Sequence, residues 1–464
     1  MEKYGITGDL LIWLKSYLTN RTQRVILKDS LSCIGELKAG VPQGSVLGPL
    51  LFLVFINDIA DDMVGFGRLF ADDTSIGHTA NNEQNLQLSI NLDLVYLNSW
   101  SEKWLLKFNP SKTDIMIFNA QGIHSNLFFD FGGNILNPVS SHKHLGVIFS
   151  SDCKWTKHID MLVERASKQL TVLRKLKFRL KREYLEKIYF TFIRPILEYA
   201  SEVWDNCGQI NSDRLEKIQI EAARIVTGLP IYASVQSIYR ETGWEKLSTR
   251  REVRKILMFY KITFNLAPEY LYDLVPPNVS EISNYNLRNS QNISVPLYRI
   301  SIYQNSFFPS CIKLWNSLDP SLRQLPTISS FKLRMHQLYF KNKKPPLYYY
   351  HGDRIASMLH ARLRNACSIL NSDLFKANLI ENANCLCGHN IENAEHFLME
   401  CRLFHLQRDI MVNSINALNL NIIINTELLL FGSEILSYDD NLAIFVIVQK
   451  YIKDSCRFSY KQPL

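Results

Sequence analysis

The stretch Phe70-Ala71-Asp72-Asp73-Thr74-Ser75-Ile76-Gly77-His78, FADDTSIGH, decides how the first part of the chain folds. Adjacent carboxylates repel, so a fold keeps such a pair where water, hydrogen bonds or cations relieve the repulsion. Short apolar runs on either side make the segment a strand, a turn and a second strand, with the aspartates at the bend. A solvated turn would accommodate them, because Asp favours turns. A divalent cation would do so equally: Mg²⁺ keeps much of its own water and needs only one or two carboxylates plus phosphate oxygens.

Upstream of this hairpin, Ile6, Leu10, Leu11, Leu14 and Leu18 recur at helical spacing, QRVIL reads as a strand, and Ile34–Leu37 as another extended piece. The run GVPQGSVLGPLLFLVFIND, Gly40–Asp58, combines glycines around a Pro-Gln pair with an apolar stretch expected to form a buried helix. Downstream, Leu86, Ile90, Leu94, Leu97, Trp100 and Trp104 form the stripe of a long amphipathic helix, with the tryptophans expected in a core. NPSKTDIMIF reads as a turn then a strand, and Leu127–Phe131 and His144–Phe149 as extended segments around the GGN turn. Strands and helices mix without a βαβ repeat, so residues 1–150 are expected to be α+β. From Trp155 to about Leu229 the periodicity is helical. Helices with Asn-, Pro- and Ser-rich breaks follow over 231–346, KNKKPP (341–346) marks a boundary, and 347–464 reads as a C-terminal helical module.

At 464 residues and 47% apolar content the chain can bury several cores. The net charge of +8 leans toward a polyanionic partner. Nine cysteines, an odd and mostly scattered set, fit reduced thiols better than a disulfide framework. The charged N-terminal segment does not read as a signal peptide, and Val46–Ile56 is about half the length of a membrane span. A soluble intracellular protein without a membrane partner is the expectation.

YLTNRTQRV (Tyr17–Val25), GVPQGSVLGPLLFLVFINDI (Gly40–Ile59), LFADDTSI (Leu69–Ile76), WSEKWLLKFNPSKTDIMIF (Trp100–Phe118) and HKHLGVIF (His142–Phe149) occur in the order and at the spacing of a known set. Together they resemble the reverse transcriptases of non-LTR retrotransposons, particularly jockey-like elements. The likeness continues through IYFTFIRPILEYASEVW (Ile188–Trp204) and more loosely through FFPSCIKLWNSL (Phe307–Leu318). It implies a partial polymerase palm over 1–150, a helical thumb over 151–230, a helical connection over 231–346 and a C-terminal region over 347–464. It also implies RNA-directed DNA synthesis by two-metal nucleotidyl transfer, with an RNA template, a DNA primer, dNTPs and chromosomal target DNA as partners, Mg²⁺ as cofactor and a nuclear site of action.

Carried over residue by residue, Asp72 and Asp73 resemble the catalytic, Mg²⁺-binding pair, and Phe70 and Ala71 its preceding aromatic and small positions. Gln43 and Gly44 resemble the residues lining the template and nucleotide pocket. Lys112 resembles the lysine that neutralises departing pyrophosphate, although a surface turn residue is the plain alternative. His144, Leu145 and Gly146 resemble the primer grip. The family's first catalytic aspartate lies on a strand before the stretch that Met1 begins, and Asp61 and Asp62 do not replace it on sequence grounds. Weak or absent polymerase activity of this chain alone is therefore expected, with a non-catalytic nucleic-acid-binding remnant as the alternative.

The positions Arg165, Lys168, Arg174, Lys175, Lys177, Arg179, Lys181 and Arg182 read as one basic helix. Such a run is either a solvated face or, given the resemblance, a contact to the nucleic-acid backbone. In CLCGHNIENAEHFLMEC, Cys385 and Cys387 are followed by His396 and Cys401, which fits a closed tetrahedral zinc site or a set of reduced core cysteines, with His389 a competing nitrogen. Its likeness to the zinc-binding segment after the thumb of several retrotransposon polymerases implies a structural Zn²⁺.

Overall fold

The computed structural model describes residues 2–37, 40–118, 127–282, 290–340, 345–349 and 352–459. It divides into two compact units, Met1–His142 with Ser150–Asp152, and Lys143–Phe149 with Cys153–Leu464.

The first unit mixes helices with small antiparallel hairpins. Helix α1 (Gly8–Leu18) precedes β1 (Arg21–Gln23), β2 (Ile26–Leu27), β3 (Ser30–Leu31) and β4 (Gly35–Leu37), in which β1 pairs with β4 and β2 with β3. Helix α2 (Gly48–Ile56) leads to the hairpin of β5 (Phe66–Phe70) and β6 (Asp73–Gly77), then to the long α3 (Glu83–Trp104). Strand β7 (Phe129–Phe131) pairs with β8 (Asn134–Leu136) across Gly132-Gly133, and β9 (Ser141–His144) and β10 (Val147–Ser150) flank a separate turn. The GGN turn thus joins its immediate neighbours: a two-residue turn closes the nearest complementary strand, and His144–Phe149 lies too far along to compete.

Ile56 and Ile59, Leu94, Leu97 and Trp100 of α3, and Phe129, Phe131 and Leu136 form the core of this unit. Three expectations fail here. Helix α2 buries only Gly48, Leu51 and Ile56, because an apolar helix in a small unit has one covered side. Trp104 is exposed, since α3 ends there with Leu105 in the left-handed conformation. NPSKTDIMIF forms a 3₁₀ turn at Pro110–Lys112 and then a single parallel bridge from Ile115 to Pro138 instead of a strand.

The second unit takes in Lys143–Phe149, the turn of the β9–β10 hairpin with its adjoining residues, and is otherwise helical apart from an isolated bridge among the described residues. Helices α4 (Thr156–Leu176), α5 (Arg182–Ile188), α6 (Arg194–Glu198), α7 (Ser201–Trp204) and α8 (Gln209–Thr227) bury Ile159, Leu162, Leu170, Leu185, Tyr189, Trp204 and Leu215 in one core. Helices α9 (Val235–Thr242) and α10 (Leu247–Thr263) follow, and Phe259, Tyr260, Trp315 and Phe331 make a second, aromatic core. The C-terminal helices, including Arg354–Arg364, His405–Asn416 and Tyr438–Asp454, have their own core. They are not a detached module: Arg354 Nη2 donates to the Ile225 carbonyl at 2.7 Å, Arg362 Nε to that of Gly228 at 2.9 Å, and the buried Tyr348 hydroxyl to Glu241. Most of the expected KNKKPP boundary lies outside the described residues. No described helix is long and apolar enough to cross a membrane.

Candidate active site and metal centre

The register Phe70↔Asp73 leaves Ala71 and Asp72 as the two central residues of a tight turn. Ala71 takes φ +52°, a left-handed conformation that non-glycine residues adopt at a cost. The tip carries Phe70, Ala71, Asp72 and Asp73 in the open, and Phe70 is 63% exposed despite its apolar ring. Among the described residues neither carboxylate takes a hydrogen bond or an ion pair. Two hard oxygen donors without competing partners suit Mg²⁺.

The hairpin's other end is clasped by an unexpected residue. Asp93, buried on α3, accepts the backbone N–H of Val64 at 2.7 Å and of Gly65 at 2.9 Å. Its Oδ2 also lies 3.0 Å from Nε2 of His78, whose side chain is nearly buried. Val64 and Gly65 enter β5 and His78 leaves β6, so the carboxylate binds the backbone at the hairpin's entry and lies against the ring at its exit. The sequence carries a signal for this: Asp93 falls on the apolar stripe of Leu86, Ile90, Leu97 and Trp100 at helical spacing, where a charged residue needs a buried partner.

Other candidate residues sit on separate turns. Pro42 to Ser45 make a turn in which Gly44 has φ +75° and the Ser45 N–H donates to the Pro42 carbonyl, presenting Gln43 outward. The Ser45 hydroxyl donates to the same carbonyl and accepts the Gly48 N–H at 3.0 Å, fixing this turn to the start of α2. Lys112 is exposed on the 3₁₀ turn capped by Asn109, whose Oδ1 accepts the Ser111 N–H. Asp58 accepts the indole N–H of Trp100, and Asp61 and Asp62 are exposed in the turn after α2. His144, Leu145 and Gly146 form the turn between β9 and β10, with φ +45° at Leu145 and +85° at Gly146.

The basic run is not one helix. Helix α4 ends at Leu176, Lys177–Lys181 makes a turn, and Arg182 opens α5. Arg165, Lys168, Arg174, Lys175, Arg179 and Lys181 are exposed, with Lys168 paired to Glu164 and Arg174 to Glu221. Lys177 is partly covered, and burial together with nearby Arg362 and Arg354 lowers its pKa. Arg182 is not a backbone contact: it is 4% exposed, pairs with Glu186 at 2.9 Å, donates to the Glu241 carbonyl and stacks on Tyr349. A guanidinium buried this deeply among internal partners is closed to a phosphate.

Cys385, Cys387, His396 and Cys401 converge, with all four ligand atoms within 4.8 Å of one another and all four residues buried. Cys385 and Cys401 Sγ lie 3.7 Å apart, and Cys387 Sγ is 3.2 Å from His396 Nε2. Zinc–ligand bonds of about 2.3 Å to sulfur and 2.0 Å to nitrogen give tetrahedral edges of roughly 3.8 and 3.5 Å. The donor set therefore fits Zn²⁺. A tight turn with Gly388 brings the two N-terminal cysteines together, and a π-helical turn, His396–Glu400, sets Cys401 after His396. His396 Nδ1 faces Glu400 at 3.4 Å, an arrangement that orients the ring with Nε2 inward. Burial pushes the Cys385 thiol up to about 12 and raises that of Cys401. At Cys387 burial is outweighed by hydrogen bonds from the His389 backbone and the neighbouring thiols, and the pKa falls. His389 stacks on His396 but remains exposed outside the four-residue set.

Residues 1–159 match the family model for reverse transcriptase (RNA-dependent DNA polymerase). The chain is similar to the probable RNA-directed DNA polymerase from transposon BS of Drosophila melanogaster, at 29% identity over 240 residues, 49% of this chain and 26% of that protein. It is also similar to the RNA-directed DNA polymerase from mobile element jockey of the same species, at 25% identity, with 56% of this chain and 30% of that protein covered. The Pol polyprotein from type-1 retrotransposable element R1 2 of Nasonia vitripennis is 22% identical over 80% of this chain and 87% of its own length. The chain thus spans between about a quarter and a third of the two Drosophila proteins. No solved structure matches the chain. Residues 1–159, with the paired aspartates at a hairpin tip, thus match the reverse transcriptase family, and the chain is similar to the RNA-directed DNA polymerases of jockey-like mobile elements.

Proposed function

We propose that this chain supplies part of a polymerase palm and the helical regions that follow it, for DNA synthesis on an RNA template from a DNA primer. The observation that carries the reading is the exposed Asp72–Asp73 pair, without a partner among the described residues, at the tip of a hairpin clasped at its base by Asp93. Bound there, Mg²⁺ would activate a primer 3′-hydroxyl and stabilise the departing pyrophosphate. The chain's own residues then have distinct tasks. Asp72 and Asp73 provide oxygen donors, and Gln43, on the turn that Gly44 permits, contacts template or incoming dNTP. Phe70 and Ala71 shape the floor of that pocket, and Lys112 offers a mobile ammonium to the leaving phosphates. His144, Leu145 and Gly146 hold the primer end, and α4 tracks the duplex through phosphate charges. The C-terminal Cys₃His set holds a structural Zn²⁺, with every position taken by protein. The site of action is chromosomal target DNA in the nucleus.

The β5–β6 pair has no third strand beside it among the described residues, so these carboxylates alone hold the metals incompletely. Primer extension with Mg²⁺, comparing wild type with Asp72→Ala, tests the reading. Weak incorporation that vanishes in the variant is expected. Incorporation indifferent to Asp72 would remove the catalytic assignment, and nucleic-acid binding without any incorporation would favour a binding remnant. Robust Asp72-dependent synthesis would refute only the expectation of weak activity.

A further inference from the structure

The turn between β9 and β10 is built from an unfavourable pair. Two-residue hairpin turns with positive φ at both centres select Asn-Gly, because Asn tolerates the left-handed region and Gly is free to enter it. Here Gly146 fills the second position, but Leu145 fills the first at φ +45°. A γ-branched apolar residue has no local hydrogen bond to offset that conformation. Something outside the turn must hold it.

Tyr199 is placed to do so. Its hydroxyl donates to the Leu145 carbonyl at 2.9 Å. Its ring lies against Gly146 so closely that a Cβ added there would stand 3.1 Å from a ring carbon. The chain breaks between α6 and α7 to deliver this side chain: Tyr199 is extended, Ala200 takes φ +51°, and the buried Trp204 donates its indole N–H to the Tyr199 carbonyl at 2.8 Å. Just beyond the turn, the Ile148 N–H donates to Nδ1 of the buried His158 at 3.2 Å. The turn is thus gripped on its carbonyl side by Tyr199 and on its C-terminal side by His158. Yet Tyr199 itself is 53% exposed, far more than packing alone would ask of a tyrosine in this role.

We propose that Tyr199 is a positioning residue: it latches the strained Leu145–Gly146 turn and so sets where that turn meets the end of the primer. The positioning of the primer rests on the primer-grip reading above, and the latch itself does not. The latch is composite, with a hydroxyl that holds the Leu145 peptide against flipping and a ring packed so closely on Gly146 that a side chain there would have to push it aside by a few tenths of an ångström.

The test uses the full chain with Tyr199→Phe, Tyr199→Ala, Leu145→Asn and the double variant Leu145→Asn/Tyr199→Phe. An exposed side chain on a helix break is truncated without harm to the core, and unchanged melting confirms that each variant folds. Amide hydrogen exchange over 144–148 reads the latch directly. Exchange in Tyr199→Phe should quicken by about 3- to 10-fold, the worth of one hydrogen bond, and in Tyr199→Ala by more. In the Leu145→Asn background the same Tyr199→Phe change should have less effect, because Asn relieves the strain that the latch opposes. Exchange that is unchanged in both Tyr199 variants would overturn the proposal. A second readout uses a primer–template whose primer 3′ terminus carries 4-thiothymidine. Crosslinking to 141–150 should fall several-fold in Tyr199→Ala while duplex affinity stays within about twofold, since phosphate contacts set affinity. If exchange responds but even the wild type gives no crosslink to this segment, the latch stands and the primer-grip reading falls. If the wild type crosslinks and Tyr199→Ala crosslinks equally, the positioning role is refuted while that reading survives.

Discussion

At the scale of single residues, the candidate site is a balance between exposed and buried acids. Among the described residues nothing engages the Asp72 and Asp73 carboxylates, whereas both oxygens of Asp93 accept backbone N–H groups. Asp93→Asn keeps the shape but replaces one accepting oxygen with a donor facing a backbone N–H. A loss of about 1–3 kcal/mol in the first unit is expected, read as a lower urea midpoint and faster exchange of the β5–β6 amides. Unchanged exchange in that hairpin would show that α3 does not hold it. The tip aspartates are legible in the sequence because two adjacent carboxylates between apolar runs admit few readings. Asp93 and Tyr199 are not, because their roles depend on backbone groups that lie far along the chain. Only the misfit of an acid on an apolar stripe, or of a leucine where a turn wants asparagine, hints at them.

At the scale of elements, periodicity locates the long helices well: α3 and α4 lie where their apolar stripes place them. It fails where the basic run crosses a helix end. Lys and Arg fit a helix and a turn equally, so charge alone does not mark the break at Leu176, and burial is what separates Arg182 from its neighbours. The two groups should respond differently to mutation. Replacing Arg165, Lys175 and Arg179 with Gln is expected to lower the salt dependence of duplex binding by about 0.9 in log–log slope for each phosphate no longer neutralised, with little change in melting. Arg182→Gln leaves Glu186 uncompensated in a covered position, and a stability loss of about 3 kcal/mol in denaturant titration is expected, with the salt slope intact. A reduced slope in Arg182→Gln would contradict the internal role assigned to it. Strand pairing is the least legible element property, since GGN joins β7 to β8 locally where apolar patterning alone suggests a longer-range partner.

At the scale of the whole molecule, the order of motifs locates the hairpin and the Cys₃His set, but not the way the C-terminal helices share a core with α8 and α9. That packing relies on Arg354 and Arg362 reaching backbone carbonyls, which leaves no pattern in sequence. Burial also leaves a pH signature. It holds the His158 imidazole down at about 4 and that of His360 at about 3. The unfolded chain binds these protons near pH 6.5 and the folded chain does not, so stability is full above that pH and falls as the pH drops toward 4. Urea midpoints should decline from pH 7 to pH 4.5, and less steeply in His158→Asn; an identical decline would exclude His158 as a source. Metal analysis should find about one zinc per chain in the wild type and none in Cys401→Ser, with chelation lowering the melting temperature. Equal zinc in both would dismiss the Cys₃His centre.

The proposed chemistry depends on the hairpin tip gathering divalent cations at the end of a growing strand. The most direct measurement is a Mn²⁺ titration followed by electron paramagnetic resonance, with primer–template and dNTP present, comparing wild type with Asp72→Ala. A loss of at least about tenfold in Mn²⁺ affinity in the variant is expected, equivalent to about 1.4 kcal/mol. Mn²⁺ bound with equal affinity by both proteins would contradict it.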